Sequence, residues 1–159
     1  MTFRRVLLMA SLLPAVAFAP APTPAPAPAS EPKPEGVYAT AIGLFAGVEE
    51  TWGASDADRL AALVDTTAVR IAIKPGTPLA TASTRVAVAF LLQDQLRLVH
   101  TKSFRVTRFD CDSKRGFCRA FALWTGDWGG RQGTRAVRVA LTARPQAGRW
   151  LLTEIRAED

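Results

Sequence analysis

The sequence predicts an α+β domain in which three N-terminal helices pack on one face of a mainly antiparallel sheet. Apolar residues recur at helical spacing through the first half of the domain. Runs rich in β-branched residues follow in the second half, where loops of hairpin length separate them. The predicted order of elements is therefore α-α-β-α-β-β-β-β.

Residues 1–19 are typical of a signal peptide. Arg4 and Arg5 precede an apolar run over residues 6–18, and residues 17–19 (AFA) have the small-x-small pattern that signal peptidases cleave. The apolar run is shorter than the about 20 residues that span a bilayer core. We therefore expect an exported bacterial protein, periplasmic or secreted, with no stable membrane span after processing.

Residues 20–35 carry proline at nearly every second position up to Pro34, which predicts an extended Pro/Ala-rich linker. Residues 36–159 then form one domain by their length. Two of the 20 basic residues lie in the predicted signal peptide, so the mature chain, with 14 acidic residues, is only mildly basic. Because its arginines are scattered rather than clustered, nucleic acid is not expected as a partner.

The predicted helices differ in how they begin and end. The first ends near Gly53, and its apolar stripe consists of Val37, Ala41, Phe45, Val48 and Trp52. Ser55 is expected to cap a short second helix, with Asp58 in the capping-box position. The third helix extends from a hydroxyl cap at Ser83 or Thr84 to Leu98.

One strand is predicted between the second and third helices, over Ala68–Ile73, where it ends in a Lys-Pro-Gly turn. Hairpin-length loops connect the later strands in sequence, which indicates an antiparallel meander. The four predicted strands of this meander are Ser103–Cys111, Phe117–Thr125, Thr134–Ala143 and Arg149–Arg156.

Four stretches carry a resemblance to a known superfamily. They are "DADRLAALVDTTAVRIAI", the capped helix "STRVAVAFLLQDQL", "SFRVTRF" and the terminal "GRWLLTEIRAE". Together they resemble the nuclear transport factor two-like superfamily, most closely its exported bacterial branches. The resemblance implies a curved sheet wrapped around helices, a pocket at the open end of the cone, and a homodimer. The superfamily contains isomerases, dehydratases and non-enzymatic binding modules, so the fold does not define the function.

No catalytic residue is predicted. The resemblance to ketosteroid isomerase-like members would place a carboxylate base on Ala68–Ile73, which has no Asp or Glu. Tyr38 is a candidate pocket donor in the first helix, or an ordinary packed tyrosine. Asp65 and Asp94 lie near helix ends, where solvated or capping carboxylates are expected, and His100 is placed to cap the third helix. No metal site or cofactor is expected, because one His and two Cys are too few soft ligands.

Cys111 and Cys118 flank the six-residue loop "DSKRGF", and in an exported protein they are expected to form a disulfide. If they pair directly, an unbroken antiparallel register follows between their two strands. This register places Arg105 opposite Trp124, as a cation–π pair on a surface facing a partner. The alternate residues form the more aliphatic set, so they are expected to face the helix-covered core, with Arg108 reaching the rim. They are Phe104, Val106, Arg108 and Asp110, opposite Thr125, Leu123, Phe121 and Arg119.

The segment "WTGDWGGRQG", residues 124–133, lacks the lysine of a P-loop and the helix of a dinucleotide loop. Its glycines instead predict a tight or bulged hairpin, closed by an Asp127–Arg131 ion pair. Two interpretations of Trp128 remain. Either it folds back onto the sheet, or it projects as a contact for a ligand or a partner.

The function most consistent with the sequence is a non-catalytic binding or interaction module for a small apolar ligand or a protein partner. The candidate contact residues are Trp128, Trp124, Arg105 and Tyr38. The first alternative is an isomerase or dehydratase, which would need a pocket lined by Asp or His. The second is an envelope assembly protein that dimerises through its sheet, which would show a filled cone and an exposed aromatic sheet.

Overall fold

The computed structural model describes residues 34–129 and 133–158, with side chains from Thr40 onward. The predicted signal peptide, nearly all of the predicted linker and the Tyr38 side chain lie outside this part. The elements are α1 (Pro34–Gly53), α2 (Ala57–Ala61), β1 (Val69–Ala72), β2 (Ala80–Ala82), α3 (Arg85–Arg97), β3 (His100–Asp112), β4 (Phe117–Asp127), β5 (Thr134–Gln146) and β6 (Arg149–Glu158).

The strands form a six-stranded sheet in the order β2-β1-β6-β5-β4-β3. Strands β3 to β6 pair antiparallel in sequence, β1 joins β6 in parallel, and β2 pairs antiparallel with β1. The predicted mainly antiparallel α+β fold is therefore confirmed. Strand β2, which the sequence analysis missed, extends the sheet at one edge and has only three residues.

Helix α1 packs against β3 and β6 through one apolar stripe. Its buried positions include Ala41, Phe45, Val48 and Trp52, which are four of the five residues in the predicted stripe. Helix α3 is capped by Thr84, whose hydroxyl accepts a hydrogen bond from the Ala87 N–H, as expected for a hydroxyl cap. Within the described residues, no helix is both long enough and apolar enough to cross a membrane.

The predicted cap of α2 is wrong by one residue. Asp56, not Ser55, is the N-cap, and its Oδ1 accepts a hydrogen bond from the Arg59 N–H at 3.0 Å. Ser55 has a positive φ of 55° and lies in the turn after α1. A side chain there is outside the capping geometry, which requires the acceptor three residues before the N–H it receives.

Cys111 and Cys118 lie directly opposite each other and form the predicted disulfide. The predicted register holds from there back to the Arg108–Phe121 pair. Between Arg108 and Val106 an irregularity shifts the ladder by one residue, so Phe104 lies opposite Trp124, and Arg105 lies opposite Leu123. A single inserted residue reverses which face the following side chains occupy.

The predicted core face of β4 is also wrong. The cysteine side of this strand is the buried one: Cys118, Ala120, Ala122 and Trp124 are at most 1% exposed. Leu123, which was predicted to be in the core, is 45% exposed on the outer face. Of the residues assigned to the core face on β3, Phe104 is buried, because the bulge brings it onto the same face as Trp124. Val106 is half-buried and Asp110 is exposed, and Arg108, which was expected to reach the rim, is exposed as well.

Gly126 allows the start of β3 to lie close to the end of β4. A Cβ at this position would come within 2.5 Å of Val99 Cγ1 and 3.2 Å of the His100 carbonyl oxygen. Gly126 therefore allows close packing between β4 and the start of β3. Gly129 and Gly133, with φ of 71° and 55°, supply the left-handed conformations of the turn that follows.

Candidate functional site

A cleft of about 520 Å³ opens between the C-terminal half of α1 and the start of β3. We call it the α1–β3 cleft. Four of its lining residues are charged, two from each element, and Phe104 also contributes to the lining. The lining residues are Ala46, Glu49, Glu50, Gly53, Lys102, Ser103, Phe104 and Arg105. The cleft differs from the apolar pocket expected for a small apolar ligand, and neither Asp nor His lines it.

Glu49 connects the two walls of the cleft. One carboxylate oxygen accepts a hydrogen bond from Arg105 Nη1 at 2.7 Å, and the other accepts one from the Val106 N–H at 2.9 Å. The backbone N–H of Val106 and then the Arg105 side chain lower the pKa of Glu49 from its ordinary value, outweighing the opposing effect of burial. Glu49 is therefore held as an ionised acceptor, which makes it a poor general base.

The other charged cleft residues are also held by partners. Glu50 pairs with Arg59 on α2 at 3.0 Å, and Lys102 Nζ donates to Thr134 Oγ1 at 2.7 Å. Strand β3 lies at the edge of the sheet. The charges of Lys102 and Arg105 disfavour pairing with a further strand, and so does Glu49, because it occupies the Val106 N–H. Neither Glu49 nor Lys102 was predicted from the sequence, because neither stands in a recognisable motif.

We expect Glu49→Gln to lower the free energy of unfolding by about 1 kcal/mol at about pH 7 and to have little effect in acid. Because the folded-state pKa is lowered, the stabilisation is fully present above the unfolded-state pKa and is lost as the pH falls through the folded-state pKa. Urea unfolding of both proteins between about pH 7 and about pH 2 would measure the difference.

The neighbouring variant Glu50→Gln is the matched control for this prediction. Glu50 and its partner Arg59 have side chains that are 66% and 60% exposed, so their pair contributes little. A stability difference for Glu49→Gln that persists unchanged into acid would contradict the assigned role of the Glu49 charge.

An aromatic cluster lies beside the cleft and fills the space between α1 and the sheet. Trp52 stacks on Phe104 with centroids 4.4 Å apart and meets Trp124 edge-on at 5.3 Å. Trp124 is fully buried, and its Nε1 donates to Thr101 Oγ1 at 3.1 Å. The predicted Arg105–Trp124 cation–π pair is therefore wrong: the bulge turns Arg105 away to Glu49, and Trp124 faces the core.

Trp128 folds back onto this cluster, in agreement with one of the two interpretations. It is half-buried, its ring lies 4.9 Å from that of Trp124, and its backbone N–H donates to the Gly133 carbonyl. Asp127 accepts a hydrogen bond from the Gly129 N–H at 3.0 Å and so shapes the turn. Arg131, the predicted partner of Asp127, lies outside the described residues.

Arg135 joins the cluster from β5 and was also missed. It lies opposite Gly126, and its neighbour Val137 lies opposite Trp124, so Arg135 faces the same buried side of the sheet. Its guanidinium carbon is 4.5 Å from the centre of the Trp128 ring. The signal was its position two and four residues before the valines of "RAVRV", on the same strand face, which becomes informative only when that face is known to be buried.

The other charged residues at the positions considered for a catalytic base have structural roles. Arg70 is the charged residue of β1, and it pairs with Glu154 on β6. Asp65 is buried and accepts hydrogen bonds from the Thr67 N–H and Oγ1, both at 2.8 Å, so it stabilises a local turn. Asp94 is half-buried on α3 and accepts a hydrogen bond from Gln95 Nε2 at 3.3 Å.

His100 does not cap α3, contrary to the prediction. The helix ends at Arg97 with Leu98 as its C-cap, and Val99 then turns into the core, which places His100 as the first residue of β3. Over residues 34–129 and 133–158, the His, Cys, Asp and Glu side chains form no group of three that could hold a metal ion.

Solved structures with this architecture support the fold. No protein-family model and no curated protein matches the chain. A DUF4783 family protein from Bacteroides ovatus is 12% identical, with a TM-score of 0.59, and the match covers 72% of this chain and 93% of that one. A candidate dehydratase of the NTF2-like family from Streptomyces avermitilis is 14% identical, with a TM-score of 0.60 and coverage of 79% and 97%.

A third similar structure is a hypothetical protein from Catenulispora acidiphila with a ketosteroid isomerase-like fold, in complex with trimethylamine. It is 13% identical, with a TM-score of 0.57, and the match covers 73% of this chain and 84% of that one. This chain therefore has the nuclear transport factor two-like fold. At these identities the likeness concerns the fold alone, and the similar proteins have different functional descriptions.

Proposed function

We propose that this chain is an exported, non-catalytic binding module that takes a polar ligand or a polar segment of a partner in the α1–β3 cleft. The observation that carries the proposal is that each of the four charged residues of the cleft has a hydrogen-bond partner that orients it. Fixed charges of both signs suit recognition, because their orientation is set before the ligand arrives. General acid–base catalysis needs a titratable group free to exchange a proton with the substrate.

Two further observations support parts of this proposal. The Cys111–Cys118 disulfide is compatible with an oxidising compartment, as the predicted signal peptide at residues 1–19 requires. Among the similar structures, the Catenulispora acidiphila protein is in complex with a small molecule, trimethylamine. A protein of this fold can therefore accommodate a small ligand.

Native mass spectrometry of protein purified from the envelope of its own host tests the proposal. We expect a chain that begins near Ala19 or Pro20 and retains a bound ligand or partner. Lys102→Glu reverses a cleft charge and should abolish retention, whereas Arg108→Glu should not, because Arg108 is an exposed β3 residue outside the cleft lining. A wild-type protein without any retained molecule, or equal loss in both variants, would contradict the proposal.

Assembly through the sheet is a second candidate, favoured by the outer face of β4. Leu123 is 45% exposed there, and half-buried Phe121 shares its face and lies opposite Ala140. The stacked and edge-on contacts of the aromatic cluster between α1 and the sheet also support this candidate, because a filled cone is one of the two features expected of an assembly protein. The same mass spectra distinguish this candidate, because a dimer lost in Leu123→Glu and kept in Lys102→Glu would indicate assembly.

A further inference from the structure

Three N–H donors in and beside the aromatic cluster are buried without an acceptor among the described residues. They are Trp52 Nε1, Trp128 Nε1 and Arg135 Nε. Indole and guanidinium N–H groups donate hydrogen bonds and accept none. A buried donor without an acceptor destabilises the fold, so each such group in a native protein requires an explanation.

Trp128 and Arg135 form the core of this donor set. The guanidinium of Arg135 lies over the Trp128 ring at 4.5 Å, on the face of the sheet that carries Trp124. Among the described residues, no carboxylate lies within 4.0 Å of Arg135 in an ion pair, although its Nε is covered. Both residues are half-buried as a whole, so solvent still reaches part of each.

We infer that Trp128 and Arg135 form a binding site for the carboxylate group of a small organic ligand. A carboxylate accepts hydrogen bonds at both oxygens and neutralises a guanidinium, so its chemistry matches an indole N–H donor beside a guanidinium. This inference goes beyond the proposed function, because neither residue lines the α1–β3 cleft.

Benzoate and benzamide are suitable probes, because they have the same ring and differ in the charge of the acceptor group. In ¹⁵N-labelled protein, benzoate should shift the indole N–H signal of Trp128 saturably, and benzamide should not. Trp150, which is on β6 and buried apart from this donor set, supplies an internal reference signal. Absence of a saturable shift with benzoate, or equal shifts with both probes, would overturn the inference.

Arg135→Gln should weaken benzoate binding by at least about tenfold, since it removes a charged hydrogen-bond donor. Arg138→Gln is the matched control, because Arg138 lies opposite Leu123 on the outer face of the same strand. Equal weakening of benzoate binding in the two variants would mean that the effect comes from the net charge of the protein, and it would contradict the proposed site. Should Arg135→Gln fail to fold, the wild-type melting temperature decides: benzoate should raise it more than benzamide does.

The inference and the proposed function fail separately. Retention of the host ligand depends on Lys102 and is read by mass spectrometry, whereas benzoate binding depends on Arg135 and is read at the Trp128 indole. Loss of the host ligand in Lys102→Glu together with no benzoate binding would support the cleft as a binding site and contradict the carboxylate site. Benzoate binding together with no retained host ligand would support the carboxylate site and contradict the proposed function of the cleft.

Discussion

Trp124→Ala is expected to lower the free energy of unfolding by about 3–5 kcal/mol, the range for deleting a large buried side chain. Trp124 has no exposed surface, and its ring contacts those of Trp52 and Trp128. The substitution also leaves Thr101 Oγ1 without the indole donor. Chemical denaturation followed by far-ultraviolet circular dichroism would measure the loss independently of tryptophan fluorescence.

Leu123→Ala is the control for this prediction, because Leu123 is the preceding residue on β4 and faces the other side of the sheet. With 45% of its surface exposed, its truncation should cost less than about 1 kcal/mol. A larger loss for Leu123→Ala than for Trp124→Ala would mean that the buried face of β4 has been assigned incorrectly.

The two faces of β4 also show where the sequence stops being informative. Both alternate sets of "FCRAFALWTGD" contain apolar residues, so alternation alone does not identify the core. The sequence-based assignment counted aliphatic residues and chose the face of Leu123. The structure buries the opposite face, where small alanines leave room for Trp124 against the helix-borne Trp52. The volume of the side chain that packs against the strand from another element decides which face is buried. The sequence of a single strand does not contain that information.

The bulge between Val106 and Arg108 explains why the position of Arg105 was predicted incorrectly. Local signals predicted the ends of α1 and α3 well, because glycine and hydroxyl caps act within a few residues of the chain. Register depends on every residue between the disulfide and the point of interest. One irregularity therefore moved Arg105 from Trp124 to Leu123 and freed it to pair with Glu49.

The candidate site was predicted only in part for the same reason. Trp128 does fold back onto the sheet, where its ring contacts that of Trp124, and Arg105 was singled out from the sequence. Glu49 reaches the cleft from α1, and Arg135 reaches the aromatic cluster from β5; both are far away in the sequence from the residues that they meet. Their roles depend on an edge-strand N–H and on a strand face, which are properties of the assembled sheet.

Replacing both Cys111 and Cys118 by alanine is expected to lower the free energy of unfolding by about 2–3 kcal/mol. The bond closes a short loop, with a sequence separation of seven, so it restricts the unfolded chain modestly. Cys118 is 1% exposed and packs in the core, and truncating it to alanine adds a smaller packing loss. Urea unfolding under non-reducing conditions would measure the difference.

Reduced wild-type protein separates the covalent contribution from the packing contribution, because it loses the bond and keeps both sulfur atoms. We expect its stability to lie between those of the oxidised protein and the double alanine variant.

Asp112→Ala tests the same hairpin without touching the disulfide, since Asp112 accepts hydrogen bonds from the N–H groups of Lys114 and Arg115, both at 3.0 Å. Oxidised protein from the envelope should show no thiol that reacts with a probe. Two reactive thiols in that material would contradict the oxidising compartment. A double variant as stable as the oxidised protein would contradict the stabilising role of the bond.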